Sequence, residues 1–262
     1  MILALAAGLA VIAAYAWLVE PGRLEVTEHV IAAGPQSDRP IRVVQLSDLH
    51  LQSVGDRERE VAAEVARLKP DLVVLSGDVV DRADTLGALD TFLSLLGTSR
   101  KVAVLGNWEY WSEVDLEALR TLYEKRHNTA LLINQTVTFQ FDERPLQVIG
   151  LDDFTAGKPD TDSLTGARGG VVSIVVQHSP GWFDTSAAST INRRFALCLS
   201  GHTHGGQVTI FGFAVWRPRG SGRFTAGLYD AKMCPLYVSR GIGTSILPVR
   251  FGAKPEIAVF SL

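Results

Sequence analysis

The sequence has little cysteine and little net charge. Its 262 residues include two cysteines, Cys198 and Cys234, and carry a net charge of −3. Two cysteines cannot build the disulfide framework that small secreted domains use, and their spacing is not that of a metal site. We therefore expect each cysteine to be a small, buried apolar residue. The weak charge gives no general attraction for nucleic acid, so no nucleic-acid partner is expected.

The start of the chain lacks charge altogether. Every residue of 1–19 except Gly8 is apolar, and Glu20, Pro21 and Gly22 end the run. Residues 2–19 reach the roughly 18 to 20 apolar residues that a helix needs to cross a hydrocarbon core. The apolar content of the chain is 47%, and this one segment accounts for its excess over that of an ordinary soluble protein.

Three interpretations of this segment compete. A cleaved signal peptide would explain Ala14-Tyr15-Ala16, which matches an A-x-A cleavage site, but the basic region that precedes such signals is missing. A buried core helix would normally keep a polar edge, and this segment has none. We favour an uncleaved transmembrane anchor over residues 1–20. Because no Lys or Arg precedes the run and three arginines (Arg23, Arg39 and Arg42) follow it, we expect the rest of the chain on the cytoplasmic side of the membrane.

The remainder is predicted to be a short linker and edge strand over residues 21–40 followed by one large domain over 41–262. Five short apolar runs, each typical of a strand buried on both faces, occur in this domain. They cover residues 41–46, 72–75, 102–105, 171–176 and 195–199, and helical patterns cover 56–68, 86–96 and 114–126. This alternation predicts an α/β sandwich of two packed sheets, with ligands at the carboxyl ends of the strands.

Polar residues that suit metal ions follow each of these runs. They are Asp48-Leu49-His50, Gly77-Asp78, Gly106-Asn107, His178 and Gly201-His202-Thr203-His204. Each is ordinary turn chemistry by itself, but together they place carboxylates and imidazoles, which suit divalent ions, at neighbouring strand ends. The two pairs at i and i+2 would point to one face if their backbone stayed extended. The set therefore predicts a metal site, and a shared carboxylate would let it hold two ions.

In this order, the motifs resemble the full signature of the calcineurin-like metallophosphoesterases. Residues 150–153, 205–207 and 239–244 are further similar to the bacterial, membrane-anchored branch, which includes phosphodiesterases and a UDP-2,3-diacylglucosamine hydrolase. The resemblance implies two mixed β-sheets flanked by helices, and two divalent ions, with Mn²⁺ favoured over Fe or Zn²⁺. It implies that Asp48, His50 and His204 hold one ion, that Asn107, His178 and His202 hold the other, and that Asp78 bridges them. Asp78, Asn107 and His178 are then the expected catalytic residues, and a hydroxide between the ions would attack phosphorus.

One position departs from that family's pattern. The family usually has Gly-Asn-His followed by an acid, whereas this chain has Trp108 in place of the histidine and then Glu109. Loss of a general acid costs about 10²- to 10⁴-fold in rate when the leaving group is basic. The UDP-2,3-diacylglucosamine hydrolases are similar to this chain in lacking that histidine. We therefore expect a pyrophosphate or activated phosphodiester substrate, unless Glu109, His127 or a metal-bound water substitutes.

Aromatic residues are frequent beside the motifs, with eight of the 21 aromatics close to them. They are Trp108, Tyr110, Trp111, Trp182, Phe183, Phe211, Phe213 and Trp216. Either they pack under loops, or they form an apolar rim that receives acyl chains or lies against the bilayer. Arginines 217, 219 and 223 follow and could hold a diphosphate or anionic head groups.

Trp108, Trp216 and Arg217 are accordingly the candidate substrate residues, and a lipid-linked substrate, with the bilayer reached through residues 2–19, is the favoured partner. The alternatives are a phosphodiesterase for cyclic nucleotides or cell-wall polymers and a non-catalytic metal-binding membrane module. We expect a monomer.

Overall fold

The chain is described by a computed structural model over residues 1–32, 39–97, 99–165 and 170–262. Most of the polar stretch in the predicted linker, residues 34–38, lies outside these ranges. At the N-terminus, helix α1 (Ile2–Ala14) continues through a π turn (Tyr15–Val19) and a 3₁₀ turn (Glu20–Gly22). Together they form one helix, Ile2–Gly22, that is long and apolar enough to span a membrane. No residue of α1 is buried, which contradicts the interpretation as a core helix.

Two six-stranded sheets form most of the domain. The first has the order β1-β14-β2-β3-β4-β5, and the second has the order β12-β13-β9-β8-β7-β6. Each sheet is mixed. In the first, β2 to β5 run parallel to one another, and β14 pairs with β2 in antiparallel fashion. In the second, β7, β8, β9 and β13 run parallel, whereas β12 pairs with β13 and β6 with β7 in antiparallel fashion. The strand bounds in the first sheet are Glu25–Val30 (β1), Arg42–Leu46 (β2), Leu72–Leu75 (β3), Arg100–Ala103 (β4), Thr129–Leu131 (β5) and Glu256–Ser261 (β14).

The second sheet contains Gln135–Phe141 (β6), Arg144–Gly150 (β7), Val172–Val176 (β8), Leu197–Ser200 (β9), Gly227–Ala231 (β12) and Cys234–Val238 (β13). A two-stranded hairpin, Thr209–Ile210 (β10) with Phe213–Ala214 (β11), lies outside both sheets. The predicted sandwich of two mixed sheets is confirmed.

Helices flank the two sheets. They are Asp56–Leu68 (α2), Leu86–Leu95 (α3), Asn107–Trp111 (α4), Leu116–Arg120 (α5), Asp162–Thr165 (α6) and Ser186–Thr190 (α7). The helix expected from residue 114 begins later because the Asp115 carboxylate accepts the amides of Glu117 and Ala118 and so caps α5. It then continues as a π turn, Thr121–Arg126.

The side-chain alternation of the strands divides the core into layers. On β2, Val43 packs between the two sheets, whereas its neighbour Val44 packs under the helices of the first sheet. Gln45 is the polar exception between the sheets: its Nε2 donates to Ser76 Oγ and to the Ser200 carbonyl, each at 2.9 Å. Burying each Val or Leu stabilises the fold by about 1.5 to 3 kcal/mol. The paired glutamine ties the two sheets together directly below the strand ends that carry the polar motifs.

The two cysteines correct the sequence-based expectation. Both are fully buried, as expected, but they are joined in a disulfide, with Cα atoms 5.8 Å apart. Strands β9 and β13 run side by side, with Leu236 opposite Cys198, and this brings Cys234 within bonding distance. The cysteines are 36 positions apart in the sequence, and only the order of the strands in the sheet brings them together.

Candidate metal centre and its cavity

Six of the seven predicted ligands form two clusters at the carboxyl ends of strands from both sheets. One cluster contains Asp48, His50 and His204, and the other contains Asp78, His178 and His202. In each cluster the candidate ligand atoms lie within 4.8 Å of one another, and all six side chains are buried. The two clusters support a dinuclear site for divalent ions.

The backbone at these residues is not extended, contrary to the expectation from the i, i+2 spacing. Asp48, His50, Asp78, His202 and His204 all have positive φ, between 46° and 70°. Left-handed backbone costs about 1–2 kcal/mol for each residue with a side chain. Cross-strand bonds offset this cost, among them Asp48 N–H to the Gly77 carbonyl and His50 N–H to the Asp78 carbonyl, both 3.1 Å. The strand ends therefore curl to aim successive polar side chains into one space.

Two glycines leave room for this arrangement. Gly77 has φ +95°, and a Cβ on it would lie 2.5 Å from Nδ1 of His178. A Cβ on Gly106 would lie 2.2 Å from Oδ1 of Asp78. Both distances are shorter than contacts between real atoms allow, so the glycine that precedes Asp78 and the one that precedes Asn107 are needed for the close approach.

In the first cluster, the ring nitrogens face one another. Nε2 of His50 lies 3.1 Å from Nε2 of His204, which in turn lies 3.4 Å from Oδ1 of Asp48. The other ring nitrogen of His50 lies 3.5 Å from Oδ2 of Asp81. Sequence reasoning missed Asp81, although its position three residues after Asp78 in Asp78-Val79-Val80-Asp81 was a usable signal. A carboxylate behind a ligating imidazole is the usual way to orient the ring.

In the second cluster, backbone carbonyls orient the imidazoles. Nδ1 of His178 lies 2.8 Å from the Ser76 carbonyl, and Nε2 of His202 lies 2.6 Å from the Arg219 carbonyl. A carbonyl only accepts, so each of these nitrogens carries the ring proton. The opposite nitrogens face the cluster: Nε2 of His178 lies 3.0 Å from Oδ2 of Asp78, and Nδ1 of His202, which carries no proton, lies 2.8 Å from Oδ1 of Asn107. Asn107, the seventh predicted ligand, thus lies beside this cluster.

The Asp78 carboxylate lies between the clusters. Its Oδ2 is 3.0 Å from Nε2 of His178 and 4.0 Å from Nε2 of His50. One oxygen of this carboxylate therefore lies near an imidazole of each cluster.

The donor set fits two cations. Within the described part of the chain, four buried ring nitrogens have no hydrogen-bond partner, and three of them belong to the two clusters: Nδ1 of His50, Nε2 of His178 and Nδ1 of His204. Acceptor atoms also face acceptors, as at His202 and Asn107. Such convergent lone pairs are costly when buried without a proton or a cation. Oxygen and imidazole nitrogen are the ligand types that Mn²⁺, Fe and Zn²⁺ accept.

The electrostatics of the metal-free protein agree with this fit. Burial and the neighbouring His178 lower the pKa of His202, while burial and His50 hold the pKa of His204 well below its ordinary value, so both rings are neutral donors at pH 7. Burial and the Asp78 charge raise the pKa of Asp48. Burial alone would lower the pKa of His178, but the charge of the Asp78 carboxylate, 3.0 Å away, raises it well above its usual range.

Glu109 has a structural role that sequence reasoning did not find. Its buried carboxylate accepts four backbone N–H groups, those of Asp78 (3.1 Å), Val79 (2.7 Å), Val80 (3.2 Å) and Gly106 (2.8 Å). It fixes the loops that present Asp78 and Asn107, so it is committed to the backbone. His127 pairs with Asp90 on α3 at 2.7 Å, away from both clusters. Neither residue is placed to substitute for the histidine that Trp108 replaces.

A cavity of about 640 Å³ opens beside both clusters. Asp78, Asn107, His202 and His204 form its floor, and the three predicted substrate residues, Trp108, Trp216 and Arg217, line its wall. Ile246 and Leu247 also line the cavity. The cavity therefore combines a base of candidate metal ligands with a largely apolar wall.

The other aromatics divide between the two interpretations. Trp182 and Phe183 are buried in the core outside the second sheet, and the Tyr110 hydroxyl donates to Asp152 at 2.6 Å. Trp111 lines the cavity, and Phe211 and Phe213 are exposed on the β10–β11 hairpin. Arg223 pairs with Asp184, while Arg219 lines the cavity with Arg217.

Comparison with known proteins finds a family and several relatives. Residues 41–206 match the family model described as calcineurin-like phosphoesterase. The chain is 32% identical to the uncharacterized metallophosphoesterase YkuE of Bacillus subtilis, over 95% of this chain and 88% of that protein. It is 28% identical to the phosphodiesterase YaeI of Escherichia coli, over 95% and 92%.

A further relative and a solved structure extend the comparison. The chain is 29% identical to a bovine transmembrane protein with metallophosphoesterase domain, over 91% of this chain and 56% of that one. Among solved structures, the sulfate thiohydrolase SoxB of Thermus thermophilus superposes with a TM-score of 0.54 at 14% identity, covering 87% of this chain and 57% of that chain. At that identity the likeness concerns the fold alone.

Proposed function

This chain belongs to the calcineurin-like phosphoesterase family, and from that premise we propose that it is a membrane-anchored phosphoesterase that cleaves a phosphodiester or pyrophosphate bond in a lipid-linked substrate. The family and its relatives make it a metal-dependent phosphoester hydrolase. The observation that carries the lipid-linked substrate is the cavity in which Trp216, Ile246 and Leu247 stand above the metal-binding clusters. A substrate such as UDP-2,3-diacylglucosamine has the diphosphate and acyl chains that these two zones would accept.

The proposed ligand roles follow the two clusters. Asp48, His50 and His204 would hold one ion, Asn107, His178 and His202 the other, and Asp78 both. Mn²⁺ is the favoured metal, with Fe or Zn²⁺ as alternatives. Two such ions would supply Lewis acidity that neutralises charge on the phosphoryl group and lowers the pKa of bound water.

The chain's own side chains define the rest of the reaction. Asp78, Asn107 and His178 lie on the cavity floor or against it, where the phosphoryl group must sit. Arg217 and Arg219 on the wall would pair with a second phosphate. Trp108 can donate no proton to a leaving group, so cleavage is expected to favour leaving groups that are weak bases, such as a sugar phosphate leaving from a pyrophosphate.

Two alternatives differ in chemistry. A phosphodiesterase for cyclic nucleotides or cell-wall polymers would use the same ions without needing the apolar wall. A non-catalytic membrane module would bind metal without turnover. The buried clusters with unpaired ring nitrogens favour a working site over a decayed one.

Turnover of a substrate panel tests the proposal. Purified full-length protein with Mn²⁺, Zn²⁺ or Mg²⁺ is given UDP-2,3-diacylglucosamine, a chromogenic phosphodiester, a cyclic nucleotide and an alkyl phosphomonoester. UMP and phosphate release should be fastest from the lipid-linked pyrophosphate. Asp78→Asn should abolish turnover, while the same carboxylate-to-amide change at the exposed Glu143 should leave it intact. Equal rates on the lipid and on the alkyl monoester would overturn the proposed substrate, and no turnover of any substrate would favour the non-catalytic module.

Trp216 and Arg217 allow a sharper test of the lipid. Substitution of both should raise KM for the lipid-linked substrate and spare the small chromogenic diester, because only the longer substrate reaches the wall. Equal losses on the two substrates would contradict the role proposed for the wall.

The domain limits and the membrane topology belong to the same proposal. Residues 1–20 would be the anchor, 21–40 a linker that includes β1, and 41–262 the catalytic domain, acting as a monomer. The arginines after the apolar run favour a cytoplasmic domain. The Cys198–Cys234 disulfide favours the opposite side, because disulfides persist in oxidising compartments. Protease accessibility in intact cells and in inverted vesicles decides between the two orientations.

A further inference from the structure

The last turns of the N-terminal helix are fastened to the domain. In the π turn, the Glu20 N–H bonds the Tyr15 carbonyl, and the next residue, Pro21, has no N–H to offer. The Ala16 carbonyl instead accepts the Arg250 N–H at 2.9 Å. The buried Glu20 carboxylate accepts the Ala253 N–H at 2.8 Å. Two polar contacts, one helical turn apart, therefore fix the helix against residues 250–253.

The apolar surface of the helix continues past this contact. Val19 lies about 5 Å beyond Ala16 along the axis, at 1.5 Å for each residue. Trp17 and Leu18, between them, are 54% and 76% exposed, and Val19 is also exposed. A helix that crosses a bilayer keeps such side chains in the apolar layer or its boundary. The domain surface beside Ala16 consequently lies at the level of the bilayer boundary and not clear of it.

That domain surface is itself apolar. The Phe251 ring stands edge-on to Tyr15, with centroids 6.3 Å apart, and its backbone bonds Gln207 and Thr209 at the base of the β10–β11 hairpin. Nε2 of Gln207 donates to the carbonyls of Ser245 and Leu247. This chain of contacts connects the helix to a set of exposed apolar side chains, the membrane face: Ile210, Phe211, Phe213, Trp216, Ile246 and Leu247. Phe211 is 97% exposed and Ile246 80% exposed.

We propose that the membrane face is seated in the headgroup and acyl boundary of the bilayer that holds the anchor, so that the metal-site cavity opens at the membrane surface. Trp216, Ile246 and Leu247 belong both to this face and to the cavity wall. The exposed Arg217 and Arg219 lie at the same mouth, where they would meet anionic head groups. Exposed aromatic side chains of this kind insert into the interface beside an anchor. The inference rests on the proposed anchor but not on the identity of the substrate.

Site-specific fluorescence tests the inference on the full-length protein in vesicles of anionic and zwitterionic phospholipid. The native cysteines are buried in a disulfide, so Phe213→Cys introduces one reactive thiol for an environment-sensitive dye. Glu143→Cys is the matched control. It lies in the β6–β7 turn, next to Asp142 and Phe141, which line a cavity at the opposite, amino-terminal ends of the strands with Asp71 and Arg100. The dye at 213 should shift to shorter wavelength and lose emission to lipids brominated near the head group, whereas the dye at 143 should do neither.

The outcomes separate the face from the anchor. Resistance of the protein to carbonate extraction, with the dye at 213 exposed to water, overturns the inference and leaves the anchor in place. Extraction by carbonate overturns both. Shielding of the dye from aqueous quenchers without quenching by brominated lipid assigns the surface to a second copy of the chain, which also overturns the inference.

A kinetic readout complements the spectroscopy. Phe213→Ser should lower kcat/KM for a substrate presented in vesicles, while the rate on a soluble chromogenic diester stays unchanged, because residue 213 lies outside the cavity lining. If the membrane-bound variant and the native protein cleave the vesicle substrate at equal rates, the proposed insertion of the membrane face into the bilayer boundary is contradicted.

Discussion

The backbone N–H of Trp108 donates a hydrogen bond to Oδ1 of Asp78 at 2.9 Å. The same residue turns its indole ring edge-on to His50, with centroids 5.8 Å apart. The main chain at position 108 thus holds the Asp78 carboxylate, while the side chain stands where the family pattern has a histidine. Changes to the Trp108 side chain should therefore alter how strongly the cleavage rate depends on the leaving group, without disturbing Asp78.

Trp108→His tests this division. The imidazole would restore a general acid at the cavity, and general-acid catalysis contributes about 10²- to 10⁴-fold when the leaving group is a strong base. We expect kcat/KM for alkyl phosphodiesters to rise by at least about tenfold, and the rate on pyrophosphates to change little. Steady-state kinetics on a series of diesters with leaving groups of increasing pKa measures the effect. The logarithm of kcat/KM, plotted against leaving-group pKa, should have a smaller slope for the variant than for the native protein.

Trp108→Phe is the matched control, because it keeps an aromatic ring and the backbone bond to Asp78 but adds no proton donor. Its rate should depend on leaving-group pKa as steeply as that of the native protein. An unchanged slope in the histidine variant, with metal binding intact, would show that proton donation at this position does not limit cleavage.

Metal binding should release a proton. The Asp78 carboxylate raises the pKa of His178 well above its usual range in the metal-free protein, so this ring is protonated at pH 7. A cation must displace that proton, since a ligating imidazole is neutral. Below the His178 pKa, the affinity for Mn²⁺ should fall by about tenfold for each pH unit. Calorimetric titration of the metal-free protein in two buffers of different ionisation enthalpy counts the protons released.

The control for this titration is the Glu143→Gln variant, which changes charge far from the clusters and should release the same number of protons. Affinity that is independent of pH between 6 and 8 would contradict the protonated state of His178.

The sequence predicted the site more completely than its surroundings. Short apolar runs that end in ligand-type residues identify both the buried strands and the edge where they meet, because buried parallel strands need apolar side chains on both faces. The left-handed backbone at Asp48 and His204 was not predictable, since it depends on the glycines and carbonyls of neighbouring strands. The Cys198–Cys234 bond depends on the order of strands β9 and β13, which no local pattern encodes.

Gly77→Ala tests the packing behind the clusters. At φ +95° a side chain is strained, at about 1 to 3 kcal/mol, and the new methyl group would press on His178. We expect a lower midpoint in urea unfolding and a larger loss of Mn²⁺ affinity than the stability change alone explains. Gly87→Ala is the matched control, because a Cβ at this helical position meets nothing within 4 Å. It should stabilise the protein by about 0.5 to 1 kcal/mol.

An unchanged metal affinity in Gly77→Ala, with the fold intact, would show that His178 can yield to the methyl group. The requirement for glycine before Asp78 would then be one of backbone conformation alone.

The last prediction concerns the disulfide that joins β9 to β13. Strand β9 leads directly into His202 and His204, and the bond to β13 holds its far side in place. Closing a loop of 36 residues should stabilise the fold by about 2 to 4 kcal/mol relative to the reduced chain. Urea unfolding with and without a reductant should differ by that amount in the native protein and not at all in a Cys198→Ala, Cys234→Ala double variant, which has no cysteine left. Because the bond lies on the outer face of the sheet, away from the cavity, the double variant should keep its Mn²⁺ affinity at low temperature. Loss of metal binding at a temperature where the variant is folded would instead show that the disulfide positions the two histidines.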